Sequence, residues 1–249
     1  MKRLCQSLAK PDSAQASIRQ SILRFYSQRG IEQTREFCQK LLEAENHKDN
    51  KDFKAKVHGE ICEALLEAIL TDYIKKNKLS NRWFFEKGMV IKDLDSRNKD
   101  FYTELDLTLF TPGKVVLFEC KSYAGDKKLC DECTIVRSCG EFDVYKQNKN
   151  HMVVLNTNIK SCCTSNVAGA YKLALFNFSI GGLKDLRDEK RKKIMPVIDI
   201  NNVEAFLDSL TKQRPVWDVL KLKKICNVIM DKNASLRKKH LKYVKTLHH

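Results

Sequence analysis

Period-two alternation of apolar and polar residues is clearest from Thr103 to Tyr123, T-E-L-D-L-T-L-F-T-P-G-K-V-V-L-F-E-C-K-S-Y. Leu105, Leu107 and Leu109 alternate with Glu104, Asp106 and Thr108, which predicts a strand with one apolar face. Thr111-Pro112-Gly113-Lys114 supplies a turn, since proline presets φ and glycine accepts a positive one. Val115-Val116-Leu117-Phe118 is apolar on both faces and predicts a strand deep in the protein, interrupted by Glu119-Cys120-Lys121.

Elsewhere the helical period dominates. Ile18, Ile22, Leu23 and Tyr26 share one helical face; past Arg29-Gly30, Phe37, Leu41 and Leu42 share another, so an α-hairpin is expected, followed by a charged linker over 45–54. A helix from about Phe53 to Lys76 buries Val57, Ile61, Ala64, Leu65, Ala68, Ile69 and Tyr73. Its Gly59 marks a close approach, because glycine in a helix interior costs about 1 kcal/mol against alanine. Asn81 to Ile91 reads as a strand that leads through D-S-R-N-K-D into the hairpin. Lys127 to Arg137 reads as a second, exposed hairpin carrying cysteines.

From Asp143 to Ile159, Val144, Gln147, Asn148, His151, Met152, Leu155 and Ile159 recur at helical spacing. Tyr171 to Ile180 and Lys193 to Ile200 read as strands, separated by a solvated basic loop over Lys184 to Lys193. Asn201-Asn202 caps a helix bearing Val203, Phe206, Leu207 and Leu210. From Trp217 onward the pattern is a basic helical tail with Leu220, Ile225, Ile229, Leu236, Leu241 and Val244 as its apolar positions. The expected division is 1–52 as a helical extension and linker, 53–212 as the α/β domain and 213–249 as the tail.

The hairpin register carries chemistry. If Phe110 opposes Val115, Asp106 faces Glu119 and Glu104 faces Lys121, with all four side chains on one face. Opposed carboxylates have Cβ atoms roughly 4.5–5.5 Å apart and destabilise the sheet unless compensated. A hard divalent cation with oxygen ligands is the natural compensation, and Lys121 is placed to hold a water or a phosphate oxygen. Glu60 points near the core side of its helix and is a candidate third carboxylate, since a partly buried acid needs a partner. Gln147 is placed to accept from a water or donate to a phosphate beside Lys121, whereas His151 reads as a hydrogen-bonded core histidine.

Charge and cysteine content narrow the partners. Lys and Arg number 46 against 31 Asp and Glu, a formal net charge of +15, which favours nucleic acid or an anionic surface. There is no apolar run of eighteen residues and no apolar signal segment after Met1, so membrane partners are not expected and an intracellular, reducing, cytoplasmic setting is. Ten cysteines in such a setting are thiols or metal ligands. Cys38, Cys62 and Cys226 sit in helical patterns as packing residues. Cys130, Cys133, Cys139 and Cys162 have a spacing that suggests Zn²⁺ or an iron–sulfur cluster.

The order of these segments resembles the nuclease-related (NERD) domain, a branch of the PD-(D/E)xK superfamily. The resemblance rests on Gly59-Glu60, Glu104-Leu105-Asp106, the run from Gly113 through Glu119-Cys120-Lys121 to Gly125, Gln147-Asn148 with His151 and Leu155, and the closing Met195 to Ile200 into Val203 to Leu210. It covers about Phe53 to Leu210. It implies an α/β, restriction-endonuclease-like fold: a mixed central sheet flanked by helices, here with an N-terminal α-hairpin and a basic helical C-terminal tail. It also implies Mg²⁺- or Mn²⁺-dependent hydrolysis of phosphodiester bonds, in DNA before RNA. The residues so implied are Asp106 and Glu119, with Glu60, as metal ligands, and Lys121 and Gln147 as assistants to the attacking water. A homodimer is an expected assembly for an enzyme that cuts both strands. The competing readings are an inactive nucleic-acid-binding module and a metal-stapled adaptor that recruits a partner.

Overall fold

The computed structural model describes residues 11–46, 51–94, 102–138, 140–162 and 170–246. Helices α1 (Pro11–Asn46) and α2 (Lys51–Lys76) precede strands β1 (Phe84–Lys92), β2 (Tyr102–Phe110) and β3 (Val115–Lys121). The short strands β4 (Lys127–Cys130), β5 (Thr134–Arg137) and β6 (Gly140–Asp143) follow, then α3 (Val144–Cys162) and β7 (Tyr171–Asn177). The chain continues through β8 (Leu183–Asp185), α4 (Glu189–Ile194), β9 (Val197–Ile198), α5 (Val203–Thr211), α6 (Val219–Lys232) and α7 (Ala234–Thr246).

The main sheet has the order β1-β2-β3-β7-β9, and a second sheet the order β6-β5-β4-β8. β1, β2 and β3 pair antiparallel, while β3, β7 and β9 pair parallel. The double apolarity of β3 follows from this placement. Val116, Phe118 and Cys120 enter a core shared with α1, α2 and α5. Val115 and Leu117 enter a second core, built with α3, α6 and the β4–β5 hairpin. The result is a mixed α/β fold of the restriction-endonuclease-like type.

α2 is buried on most sides: Ile61, Cys62, Ala64, Leu65, Leu66 and Leu70 are all fully buried between α1 and the sheet. The backbone of α1 leaves helical geometry at Gly30, with φ 76° and ψ 177°. Tyr26 donates to Asp72 before this break, and Cys38 lies beside Cys62 after it, so the second limb runs back along α2. A Cβ at Gly30 would meet nothing within 4 Å, so any cost of a side chain there is backbone strain alone. Gly30→Ala is expected to destabilise the protein by about 1–3 kcal/mol in chemical denaturation.

Several sequence expectations need correction. The Lys184 to Lys193 stretch is not a plain loop; it forms β8 and the start of α4, whose N-cap Asp188 accepts from the Arg191 amide at 2.8 Å. The cysteine hairpin is not simply exposed, because Leu129, Cys133 and Ile135 join the second core. α6 packs on β1 and α3 through Leu222, Ile225, Cys226 and Ile229, whereas Leu220 is 62% exposed. Gly59 marks no close approach, since a Cβ there would meet nothing within 4 Å. The D-S-R-N-K-D run, Cys139 and the side chains of Leu241 and Val244 lie outside the described residues. Among the described residues no helix is long and apolar enough to cross a membrane.

Candidate active site

The hairpin pairs Phe110 with Val115 and continues to Leu107 with Phe118. Beyond that step the two backbones stop pairing, and the side chain of Asp106 takes over, its Oδ2 accepting from the Cys120 amide at 2.8 Å. This is also where β1 and β2 exchange faces. Phe85, Leu107 and Leu109 pack toward α2, but Met89, Ile91 and Leu105 pack toward α3 and α6. Gly88, opposite Asp106 and at φ 53°, permits the switch. Leu105 therefore does not share the face of Leu107 and Leu109. Glu104 does not face Lys121; it pairs with His240 of α7, Oε2 to Nε2, at 2.5 Å.

At the opened end of the hairpin stand Asp106, Glu119 and Lys121. Glu119 is 1% exposed. Its Oε1 accepts from Lys121 Nζ at 2.6 Å, while Oε2 is buried without a hydrogen-bond partner, His151 Nδ1 standing 3.5 Å away. Burial raises the Glu119 pKa against the opposing pull of Lys121. Asp106 is pushed up to about 7, by burial first and by the Glu119 charge second. Burial works against the Lys121 ammonium, but Glu119 and Asp106 outweigh it and raise its pKa. The Lys121 ammonium also lies 4.8 Å from the centre of the Phe142 ring on β6.

α3 supplies the far wall. Asn148 donates to the carbonyls of Leu117 and Ala174 at 3.0 and 3.4 Å, which pins the helix across β3 and β7. One residue earlier, Gln147 lies against Glu119 and eases its negative charge, its own Oε1 buried and unpartnered. His151 is buried, and burial lowers its pKa despite the opposing charge of Asp106, so its imidazole is neutral near pH 7.

Glu60, Glu63 and Glu67 form a row on α2 that meets Arg19 of α1. Arg19 reaches Glu60 Oε1 at 2.7 Å, Glu67 Oε2 at 2.7 Å and Glu63 Oε2 at 3.5 Å. Glu67 is also held by Lys87 Nζ at 2.7 Å. Glu60 is thus placed as an ion-pair partner of Arg19. Glu63 stands nearer the hairpin carboxylates, for its pKa is driven well up by burial and then by the Asp106 charge. The sequence held the signal, three glutamates at helical spacing, but nothing in it chose among them.

The oxygen donors fit a hard divalent cation. The buried Glu119, one of whose oxygens has no hydrogen-bond partner among the described residues, and the neighbouring half-buried Asp106 have the chemistry of a Mg²⁺ or Mn²⁺ ligand pair. Among the described residues no three His, Cys, Asp or Glu side chains are gathered to hold an ion by themselves. An ion here would complete its shell with water and substrate oxygens, as Mg²⁺ commonly does.

The segment from His58 in α2 to Leu173 in β7 matches the family model of the nuclease-related domain, NERD. Over residues 58–173 the chain is similar to a nuclease-related domain. No curated protein and no solved structure matches the chain. The NERD match contains Glu63, Asp106, Glu119, Lys121, Gln147 and His151, whereas the reversing limb of α1, the β9–α5 unit and α6 lie outside it.

Of the cysteines expected to hold a second metal, the described Cys162 is not brought to Cys130 and Cys133. Cys133 accepts through its carbonyl from the Val144 amide at the start of α3, whereas Cys162 ends that helix and lies 3.8 Å from Lys232 Nζ. At 1.5 Å per residue those ends of α3 are about 27 Å apart, so Cys162 cannot share an ion with Cys130 and Cys133. Both Cys130 and Cys133 are free thiols, and burial pushes the Cys133 pKa up to about 11, away from the thiolate that ligation needs.

Proposed function

We propose that the chain hydrolyses phosphodiester bonds in nucleic acid, DNA before RNA, at a divalent-cation site held by Asp106 and Glu119. The observation that carries this reading is the buried, unpartnered Oε2 of Glu119 beside Asp106, with the Lys121 ammonium on the other oxygen. Most buried polar atoms find a partner, and one that does not calls for an explanation such as an ion.

When bound, Mg²⁺ or Mn²⁺ supplies Lewis-acid polarisation of the scissile phosphate and a more acidic water. The chain's own groups do the rest. Lys121 stays protonated at neutral pH and donates to the attacking water or to a phosphate oxygen as negative charge grows there. The Gln147 Oε1, which has no hydrogen-bond partner among the described residues, accepts a hydrogen bond from that water and orients it. Glu119 fixes the Lys121 ammonium, so the donor arrives already aimed. The net charge of +15 draws the polyanion and makes its binding steeply salt-dependent.

The test is incubation of the purified protein with labelled single- and double-stranded DNA and RNA in Mg²⁺, Mn²⁺ or EDTA. Cleavage is expected with either metal and none with EDTA. Absence of cleavage on every substrate, with binding intact, would leave a nucleic-acid-binding module instead. Within the glutamate row, Glu63→Gln is expected to lower cleavage at limiting Mg²⁺ by about tenfold or more, the usual scale for residues that support metal ligands. Glu60→Gln, which disturbs only the Arg19 ion pair, is expected to change it far less. Mg²⁺ titrations of the two variants compare them directly.

A further inference from the structure

A cavity of about 540 Å³ opens at the end of the second sheet, where β4 and β8 begin and β5 ends. Among the described residues that line it, Lys127, Lys128, Arg137 and Lys184 are basic and Asp126 is the single acid. Asp126 is already committed, its Oδ1 accepting from the Gly182 amide at 2.9 Å. Lys127 is committed too, since its Nζ donates to the carbonyls of Tyr123, Gly125 and Ile180 at 2.9, 2.7 and 3.2 Å. The other three cations, Lys128, Arg137 and Lys184, form no ion pair among the described residues.

Lys128 and Lys184 are register partners across the parallel β4–β8 pair, both exposed, and neither forms an ion pair among the described residues. Like charges opposite each other in a sheet destabilise it unless an anion intervenes. Arg137 lies 4.0 Å over the Tyr123 ring, and its Nε is buried without a hydrogen-bond partner. Val136 and Leu183 supply apolar wall between these cations. A volume inside the roughly 300–1,000 Å³ range of ligand pockets, with apolar wall and unneutralised donors, suits a ligand that is part anion and part flat apolar ring.

The cavity adjoins the catalytic end of β3. Tyr123, beneath Arg137, is two residues beyond Lys121 and lies within the fields of Lys121, Glu119 and Asp106. We propose that this cavity is a subsite for one nucleotide of a single-stranded segment or strand end, its phosphate on Lys128, Lys184 and Arg137 and its base against Val136 and Leu183. The proposal rests on nucleic acid being the substrate of the neighbouring site. A base can enter only after leaving its stack, so the subsite makes the protein prefer unpaired strands to intact duplex.

The experiment measures fluorescence anisotropy of a labelled single-stranded DNA 12-mer and of the corresponding duplex, in EDTA so that no cleavage intrudes, over a salt series. The Lys128→Ala/Lys184→Ala double variant, altered only at exposed side chains, is expected to bind the single strand about tenfold or more weakly. Its log–log salt slope is expected to fall by about 1.4, for two lost phosphate contacts. Arg137→Met, with its fold checked by circular dichroism, is expected to weaken the same binding. Wild-type affinity and slope in the double variant would overturn the proposal, as would equal losses on single strand and duplex. Cleavage in Mg²⁺ is scored separately. A wild type that cleaves beside a double variant that still binds normally rejects the subsite alone, and a wild type that binds through these lysines without cleaving rejects the nuclease reading alone.

Discussion

Asp106→Asn will abolish cleavage and yet make the metal-free protein more stable. The asparagine keeps an oxygen for the Cys120 amide, which Asp106 Oδ2 now holds at 2.8 Å, so the hairpin end keeps its geometry. It removes one of two neighbouring carboxylates, and with it half the anionic charge that a divalent cation needs. Loss of several kcal/mol of electrostatic stabilisation in the transition state corresponds to a cleavage rate lower by about 10³-fold or more.

Stability moves in the opposite direction. Asp106 has a folded-state pKa of about 7 against an ordinary value of 3.8, raised by burial and by Glu119. A carboxylate raised in this way weakens the fold in full above its folded pKa, and the penalty fades as pH falls toward its unfolded value. In EDTA at pH 8 the variant is therefore expected to be more stable, with a Tm higher by several degrees. The gain should shrink steadily toward pH 5. Thermal melts in EDTA across that range, beside a cleavage assay in Mg²⁺, check both halves. An unchanged Tm at pH 8 together with retained cleavage would mean that the two acids do not share a site.

Arg187→Met is expected to produce the largest loss of stability. Arg187 has no exposed side-chain surface. Its Nε and Nη2 donate to the two carboxylate oxygens of Asp185 at 2.9 Å each, and Nη1 donates to the carbonyls of Glu132 and Met195 at 2.8 Å each. One guanidinium thereby ties β8 to the β4–β5 turn and to the end of α4. Methionine fills much of the volume but leaves two carbonyls without their donor and Asp185 with only the residue 187 backbone amide. Removing one partner of a buried ion pair costs about 3–5 kcal/mol. Asp185 keeps some access to water, so the lower end, about 3 kcal/mol or roughly 6–12 °C, is the expected result. Arg191→Met is the control. It breaks only the exposed pair with Asp188, whose side chains are 46% and 57% exposed, and should cost under about 1 kcal/mol. Equal losses in the two variants would show that the buried network carries no special weight.

The sequence by itself determined the local frame. The doubly apolar run Val115 to Phe118 could only be a strand with protein on both sides, and Pro112-Gly113 set the register that pairs Phe110 with Val115. The helical pattern from Val144 onward placed Gln147 and His151 on the sheet-facing side of α3. These features are legible because side-chain direction follows from backbone period within one element.

What only the tertiary structure decided lies between elements. Arg19, brought from α1, holds Glu60 at 2.7 Å and Glu63 only at 3.5 Å, so Glu63 also feels Asp106. The switch of faces at Gly88 sends Leu105 into the opposite core from Leu107 and hands Glu104 to His240. The length of α3 separates Cys162 from Cys133, and α6 turns out to be a packed layer against β1, not a free tail. Periodicity fixes which side of its own helix or strand a residue takes. It carries no information about which distant charge or surface is packed against that side, because that choice is made by the burial of the whole chain at once.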